Sequence, residues 1–528
     1  MRTVTTRSAL LALSLSLVGT AGLVACSSGS GSDNGPKSYA DGKTFAFAMN
    51  SDPGALDPQQ SLTGNLTQLT QFAYDSLLSV AADTGEIQSQ LADSWKVDGK
   101  TITLEIRDGV TCSDGSPFDA QTVVDNLTYL SDEANKSPFL GLYYPAGSTA
   151  TASGSTVTIK VGVTGPFVLN ALAKVPMVCE AGLKDRSTLT DGTSGTGPYV
   201  LESSVPGSKY VYKVREGYTW GPDGASTATK GMPAQIDATV VLNETTAANG
   251  LLTGTLNAAT IKGPDAERLD KAGVASADLP IILGEQWYNH AEGHLTSDPA
   301  VRMALTQGID YTQLADVLTA GKGIPTTQLA PMPPIACQGT TTGAVPAFDA
   351  KAAEALLDEA GWVKGSDGIR TKDGKKLELS LLVDNFAGNP AAAASELAVE
   401  NWKAIGIKVN AKLLSTSQLS EPLFTTGDWD IAWETVGVNS PDQMVPFLSG
   451  DTANNFSHID NADYEAKVEA ANAKVGSESC PDWLAAEESL FAAADLVPFA
   501  GSSNPTFLKG AELTTGAILV PSAIRMLG

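Results

Sequence analysis

Apolar and polar residues follow several distinct rhythms along this chain, and each predicts an element. The first is a basic head, Met1 to Arg7, followed by an apolar stretch from Ala9 to Val18 interrupted only by serines. Small residues then lead to Leu23-Val24-Ala25-Cys26. The apolar stretch is too short and too serine-rich to cross a bilayer, so residues 1–25 read as a secretory signal. From Thr44 to Met49 the alternation has a period of two, as in a half-buried strand, and Asn50-Ser51-Asp52-Pro53-Gly54 after it is a loop by composition. A hairpin is predicted over Trp95–Ile106, turning at Asp98-Gly99-Lys100. Asp119 is placed to cap a helix with Val123, Val124, Leu127 and Leu130 on one face.

Residues 155–163 predict another strand, and Gly195-Thr196-Gly197-Pro198-Tyr199 reads as a tight turn before one. Pro198 argues against a phosphate loop there. The second half is more helical. Asp298-Pro299, Asp310 and Asp349 each stand at a helix start, and Gly321 and Gly361 stand at helix ends. Residues 377–383 form a strand, about 391–405 a helix, and 406–411 a strand, which at this spacing is a parallel βαβ unit. Trp429–Val436 is expected to join the same sheet. Ligands of open α/β sheets sit beyond the carboxyl ends of strands, which singles out Asp384, Asn385, Gly437, Val438 and Asn439.

Cys26 after Leu-Val-Ala matches a bacterial lipobox, whose thiol is acylated, and the Ser/Gly run from Ser27 to Gly35 suits a flexible tether. An extracytoplasmic protein held on a membrane by lipid is therefore expected. The formal charge is −25, and the first 25 residues hold two arginines and no acid, leaving −27 on the remainder. Such a balance argues against nucleic acid or anionic lipid as partner. With 528 residues, two or three lobes are expected. Setting Cys26 aside leaves Cys112, Cys179, Cys337 and Cys480, an even number for an oxidising compartment. Of three pairings, Cys112–Cys179 and Cys337–Cys480 is preferred because each pair then stays within one lobe. No CxxC occurs, and His290-Ala291-Glu292-Gly293-His294 departs from HExxH, so neither a metal nor a cofactor is expected. No GxSxG or nucleophilic cysteine constellation points to an enzyme; a secreted hydrolase with dispersed carboxylates is the rival reading.

The order of motifs resembles the bacterial extracellular solute-binding proteins of family 5, the oligopeptide/dipeptide-binding group that serves ABC importers. The resemblance rests on Ser51-Asp52-Pro53-Gly54-Ala55-Leu56-Asp57-Pro58, Tyr74-Asp75-Ser76-Leu77-Leu78, and Leu91-Ala92-Asp93-Ser94-Trp95 through Ile106-Arg107-Asp108-Gly109-Val110. Gly195–Tyr199, Asp298–Leu305 and Leu356–Trp362 add to it. It implies an α/β clamshell of two lobes with an extra inserted subdomain. The division expected is a signal at 1–25, a tether at 26–40, and a discontinuous lobe I at 41–74, 192–286 and 499–528. The inserted subdomain takes 75–191 and lobe II 287–498, with hinge crossings near Gln286–Tyr288 and Val497–Phe499. It also implies a monomer that closes on a small solute, peptide-like or an oligosaccharide or metal chelate, and delivers it to permease subunits.

Ligand contacts are expected from Asn50, Ser51, Trp287, Tyr288, Asp384, Asn385, Trp433, Gly437 and Asn439. Trp429 and Phe456 are further aromatics in segments that suit a cleft. Peptide-binding relatives often hold the ligand ammonium with an aspartate in the stretch matching Trp433–Asp442, and counting back from Pro441 that place is Gly437 here. Some also place an arginine after the strand matching 377–383, where this chain reads Asp384-Asn385-Phe386. A free-ended dipeptide is therefore disfavoured, with Glu434 or Asp384 as substitutes for the missing aspartate.

Overall fold

The computed structural model describes residues 38–82, 84–163, 165–450, 454–514 and 519–528. The signal region, Cys26 and the tether through residue 37 lie outside the described residues. The expected tether reached residue 40, but Tyr39 is already tied down. Its hydroxyl donates to Glu512 Oε1 at 2.6 Å, and Ala40 N–H donates to the Met526 carbonyl at 3.0 Å.

A ten-stranded sheet links the two halves of the body. At one end Thr44–Met49 pairs parallel with Gln235–Val240 and Ala258–Thr260, and Lys209–Val214 and Tyr199–Val205 continue outward antiparallel. The period-two pattern works as expected: Phe45, Phe47 and Met49 are buried on one face, while Ala46 and Ala48 pack on the cluster of Ala247, Leu251 and Leu269. At the other end Glu378–Asp384 and Lys408–Leu414 pair parallel around the helix Asn389–Ala404, giving the expected βαβ unit. That helix buries Ala391, Ala394, Ala398 and Trp402, whose indole N–H donates to the Leu305 carbonyl at 2.9 Å. Only Ile431–Trp433 of the expected 429–436 strand enters the ladder. Just before it, the Asp430 carboxylate accepts from Ser380 N–H at 2.8 Å, a side chain standing in for a backbone partner.

Two long strands join the ends. Ala275–Tyr288 and Leu496–Leu508 pair antiparallel from Ala275 opposite Leu508 to Trp287 opposite Leu496. Gln286, Trp287 and Tyr288 also pair with Ile431–Trp433 on their other side. Of the residues expected at the hinge, Gln286–Tyr288, Val497 and Pro498 lie inside the paired sheet, while Phe499 falls where the register breaks, opposite the stretch between Ile282 and Glu285. There Gly284 meets the Phe499 ring, which a Cβ would approach to 2.6 Å.

The inserted region carries its own four-stranded sheet, ordered Ala92–Asp98, Thr101–Ile106, Thr156–Lys160, Thr149–Ser153. The helix Ala120–Ser131 covers it through Val123, Leu127 and Leu130. Asp119 caps that helix by accepting from Thr122 N–H at 2.9 Å. Cys112 is bonded to Cys179, and Cys337 to Cys480. Among the described residues no helix is long and apolar enough to cross a membrane.

Candidate functional site: a cavity between the inserted region and the second half

The Gly195-Thr196-Gly197 turn presses directly on the end of the helix Gly64–Ala73. A Cβ on Gly197 would stand 2.4 Å from the Ala73 carbonyl carbon, so only glycine permits the approach. This contact sets Tyr74 and Asp75 at the floor of a cavity of about 650 Å³, within the range of sites for drug-sized solutes. Thr67, Gln68 and Gln71 line one wall, and Phe139, Tyr143 and Lys174 of the inserted region line another. Leu279 of the first long strand contributes, and the Met332-Pro333-Pro334 loop closes the cavity from the second half of the chain.

Charge at the cavity is sparse. The buried Asp75 carboxylate accepts from Gln90 Nε2 at 2.8 Å, Tyr218 hydroxyl at 2.8 Å, Thr196 hydroxyl at 2.9 Å and Trp220 Nε1 at 3.1 Å. Burial pushes its pKa up, while each of the four donors pulls it down. Lys174 is placed differently. Its Nζ donates to Asn439 Oδ1 at 2.9 Å and lies 5.3 Å from the Tyr143 ring centre. Desolvation lowers its pKa to about 8, against an opposing pull from Asp442. The Lys174–Asn439 bond joins the inserted region to the second half. Phe167 against Trp483, with ring centres 6.3 Å apart, and Gly476 N–H donating to the Pro166 carbonyl at 2.8 Å make the same connection.

The structure separates the residues singled out from sequence. Asn439 reaches the cavity rim through Lys174. Gly437 is exposed beside the loop, and a Cβ there would lie 3.2 Å from Met332 Sδ. Asn50 and Ser51 are exposed and held by Asn65 Nδ2, at 3.0 Å to Asn50 Oδ1 and 2.6 Å to Ser51 Oγ, so they belong to the loop's own scaffold. Trp287 and Tyr288 are a correction: both are fully buried. The Trp287 indole donates to the Glu434 carbonyl at 3.0 Å, and the Tyr288 hydroxyl pairs with Thr306 Oγ1 at 2.8 Å. Trp433 is buried against Phe499, its indole donating to Gln286 Oε1 at 3.0 Å. Trp429 and Phe456 are likewise core. All five aromatics are buried, and Trp287, Tyr288, Trp429 and Phe456 pack within the lobe interior.

Asp384, Trp433 and Glu434 instead surround a separate, water-sized cavity of about 20 Å³ beside Leu283. Burial and the neighbouring Asp384 raise the Glu434 pKa to about 7. Asn385 is exposed at the end of the same strand. His290 and His294 take different partners: His294 Nδ1 is 3.1 Å from Asp430 Oδ1, and His290 Nε2 is 3.3 Å from the Asp495 carbonyl.

A cavity framed by two halves that are joined through a pair of long strands suits a protein that closes on a solute. Residues 86–457 match the family described as bacterial extracellular solute-binding proteins, family 5. The chain belongs to that family. Among its relatives is protein XP55 of Streptomyces lividans, 28% identical over 474 residues, covering 85% of this chain and 81% of that one. Solved structures of the same fold include the periplasmic murein tripeptide-binding protein MppA in an unliganded open form. It has a TM-score of 0.76 at 19% identity, with 93% of this chain and 99% of that one covered. The ABC transporter substrate-binding protein CtaP of Listeria monocytogenes has a TM-score of 0.74 at 17% identity, with 92% and 100% covered. This family 5 protein is thus an extracytoplasmic solute-binding protein, and the solved structures share its two-lobed α/β fold.

Sequence reasoning missed Lys174, Tyr143, Gln71 and the Met332–Pro334 loop. The first two lie in segments that carry none of the motifs read from the sequence, and the Lys174–Asn439 bond spans 265 residues. The double proline after Met332 was the one local signal, since it marks a loop held away from regular structure.

Proposed function

We propose that this protein is a lipid-anchored receptor, acylated at Cys26, with the Ser/Gly run from Ser27 to Gly35 serving as its tether. It captures a small peptide-like solute in the 650 Å³ cavity and presents it to permease subunits. The observation that carries the reading is the placement of that cavity. Its walls come from the first half and the inserted region, its cover comes from Met332–Pro334, and the two parts are joined through the paired strands Ala275–Tyr288 and Leu496–Leu508. The register break at Ile282–Glu285 offers a place where small backbone changes open the cavity without breaking either core. The tripeptide named for MppA and the cavity's size favour a ligand of a few residues' bulk. Capture needs no reacting group: contacts from both sides shift the population toward the closed form.

Native mass spectrometry of protein purified without refolding tests capture, with a co-purifying mass of a few hundred daltons expected. Replacing Gln71 by Trp, which fills the cavity, should remove that mass. A wild-type protein that carries no ligand and shifts its melting temperature with no peptide pool would sink the reading. Acylation is read separately, as loss of membrane association in Cys26→Ser.

A further inference from the structure

Lys174 is the feature of the cavity that its own surroundings leave incomplete. An ammonium has three donors. Here one bond goes to Asn439 Oδ1, and the Tyr143 ring offers a weaker electrostatic contact at 5.3 Å. Among the described residues no carboxylate lies within the 4.0 Å of an ion pair; Asp442 acts on Lys174 only from farther away. A largely desolvated ammonium with one acceptor is costly unless a further acceptor or an anion reaches it. Lys174 is among the residues that line the cavity.

The other charges there point the same way. Asp75 is saturated by four donors and offers nothing to a cationic ligand. Arg525, also at the cavity wall, bonds through Nη1 to the Ser522 and Ile524 carbonyls at 2.9 Å and 2.7 Å, and Glu512 opposite it on the paired strand acts on its charge. The rest of the wall is mainly apolar, with Leu62, Val80, Phe139, Leu279, Met332 and Val520 among it. Met332 crowds the space beside Gly437, so that position brings no acid to the wall.

From these contacts we infer that the cavity selects a solute with an anionic group, seated on the Lys174 ammonium, and an uncharged, mainly apolar body. The inference rests on the capture reading above and narrows its ligand class. A ligand carboxylate supplies the acceptors that Lys174 lacks, and it bridges the inserted region to Asn439 on the opposite side. Closure and anion recognition thus fall on the same bond.

Acid and neutral pairs test it on the full-length protein: N-acetyl-trileucine against its C-terminal amide, and octanoate against octanol, by calorimetry. At least one acid should bind tenfold or more tightly than its neutral partner. Lys174→Met should erase that ratio, and Lys174→Arg should keep most of it. Asn439→Asp places a carboxylate within reach of Nζ as an internal competitor. It should weaken acid binding about tenfold while leaving the ligand-free melting temperature unchanged or higher, which separates recognition from misfolding. Equal affinity for acid and neutral forms, no binding of either acid at millimolar concentration, or a ratio that survives Lys174→Met would overturn the inference. A co-purified ligand without an acidic group would also overturn it while leaving capture intact. A deletion strain with unchanged solute uptake would instead sink delivery to the importer and leave the acid-binding cavity standing.

Discussion

The floor and the rim of the cavity treat buried charge in opposite ways. On the floor, Asp75 receives four donors from three separate segments of chain, so its acceptors are satisfied by the protein itself. On the rim, Lys174 has one acceptor, and that acceptor belongs to the far side of the molecule. Glu285, at the register break between the two halves, lies between these extremes. It accepts from Val436 N–H at 3.1 Å and Trp287 Nε1 at 3.3 Å, while its Oε1 has no partner. A saturated charge holds a fold together, because removing it strands every donor aimed at it. An under-partnered charge adds little stability and is free to recognise something else.

The sharpest way to break this comparison is Asp75→Ala. It leaves the Gln90, Thr196, Tyr218 and Trp220 donors without their acceptor and should destabilise the protein by about 3–5 kcal/mol in urea titrations. A loss below about 1 kcal/mol would show that the floor is not a structural anchor.

The next effect is pH-dependent. Burial raises the Glu285 pKa to about 8, above its value in an unfolded chain, so the folded state holds a proton that the unfolded state has lost. Its contribution is fully present below about pH 4.5 and is lost as pH rises toward 8. Glu487 and Glu434, each raised to about 7, act in the same sense. His290, lowered to about 3, opposes them only as pH falls below 6.5. The melting temperature should therefore fall by several degrees from pH 6.5 to 8, and Glu285→Gln should flatten that slope. An unchanged slope in the variant would place the titration elsewhere.

The smallest effect on stability is expected at the rim. Lys174→Met exchanges a desolvated ammonium for an apolar chain of similar length, and the ligand-free protein should change by no more than about 0.5 kcal/mol in either direction. A loss comparable to Asp75→Ala would mean that Lys174 is structural after all and that floor and rim do not differ.

The same contrast explains what was legible beforehand. Strands and helices with a clear period appeared where expected, from Thr44–Met49 to the βαβ unit at residues 378–414. Their side chains answer to their neighbours in sequence. Asp119 and Asp298 as caps were readable for the same reason, since a cap acts within three residues of itself. The aromatics were not readable. Trp287 and Trp433 alternate on neighbouring strands, and a half-buried strand predicts that one face is covered without saying whether protein or ligand covers it. Here protein covers both, through Phe456 and Phe499. The preferred pairing of the four cysteines coincides with the bonds present, because keeping each pair within one lobe is a constraint on chain topology that the element order already contains.

By itself the sequence determined the elements, their caps and the motif order that marks a family 5 solute-binding protein. These depend on contacts between residues close along the chain or on a pattern spread over all of it. Only the tertiary structure decided where charge meets the cavity. Lys174 and Asn439 are 265 residues apart, and Asp75 and Trp220 are 145 apart. Whether a buried charge is saturated or left open depends on how many donors or acceptors arrive from such distances. No local pattern encodes that number, because it is set when the inserted region docks against the second half and the two long strands fix the distance between them.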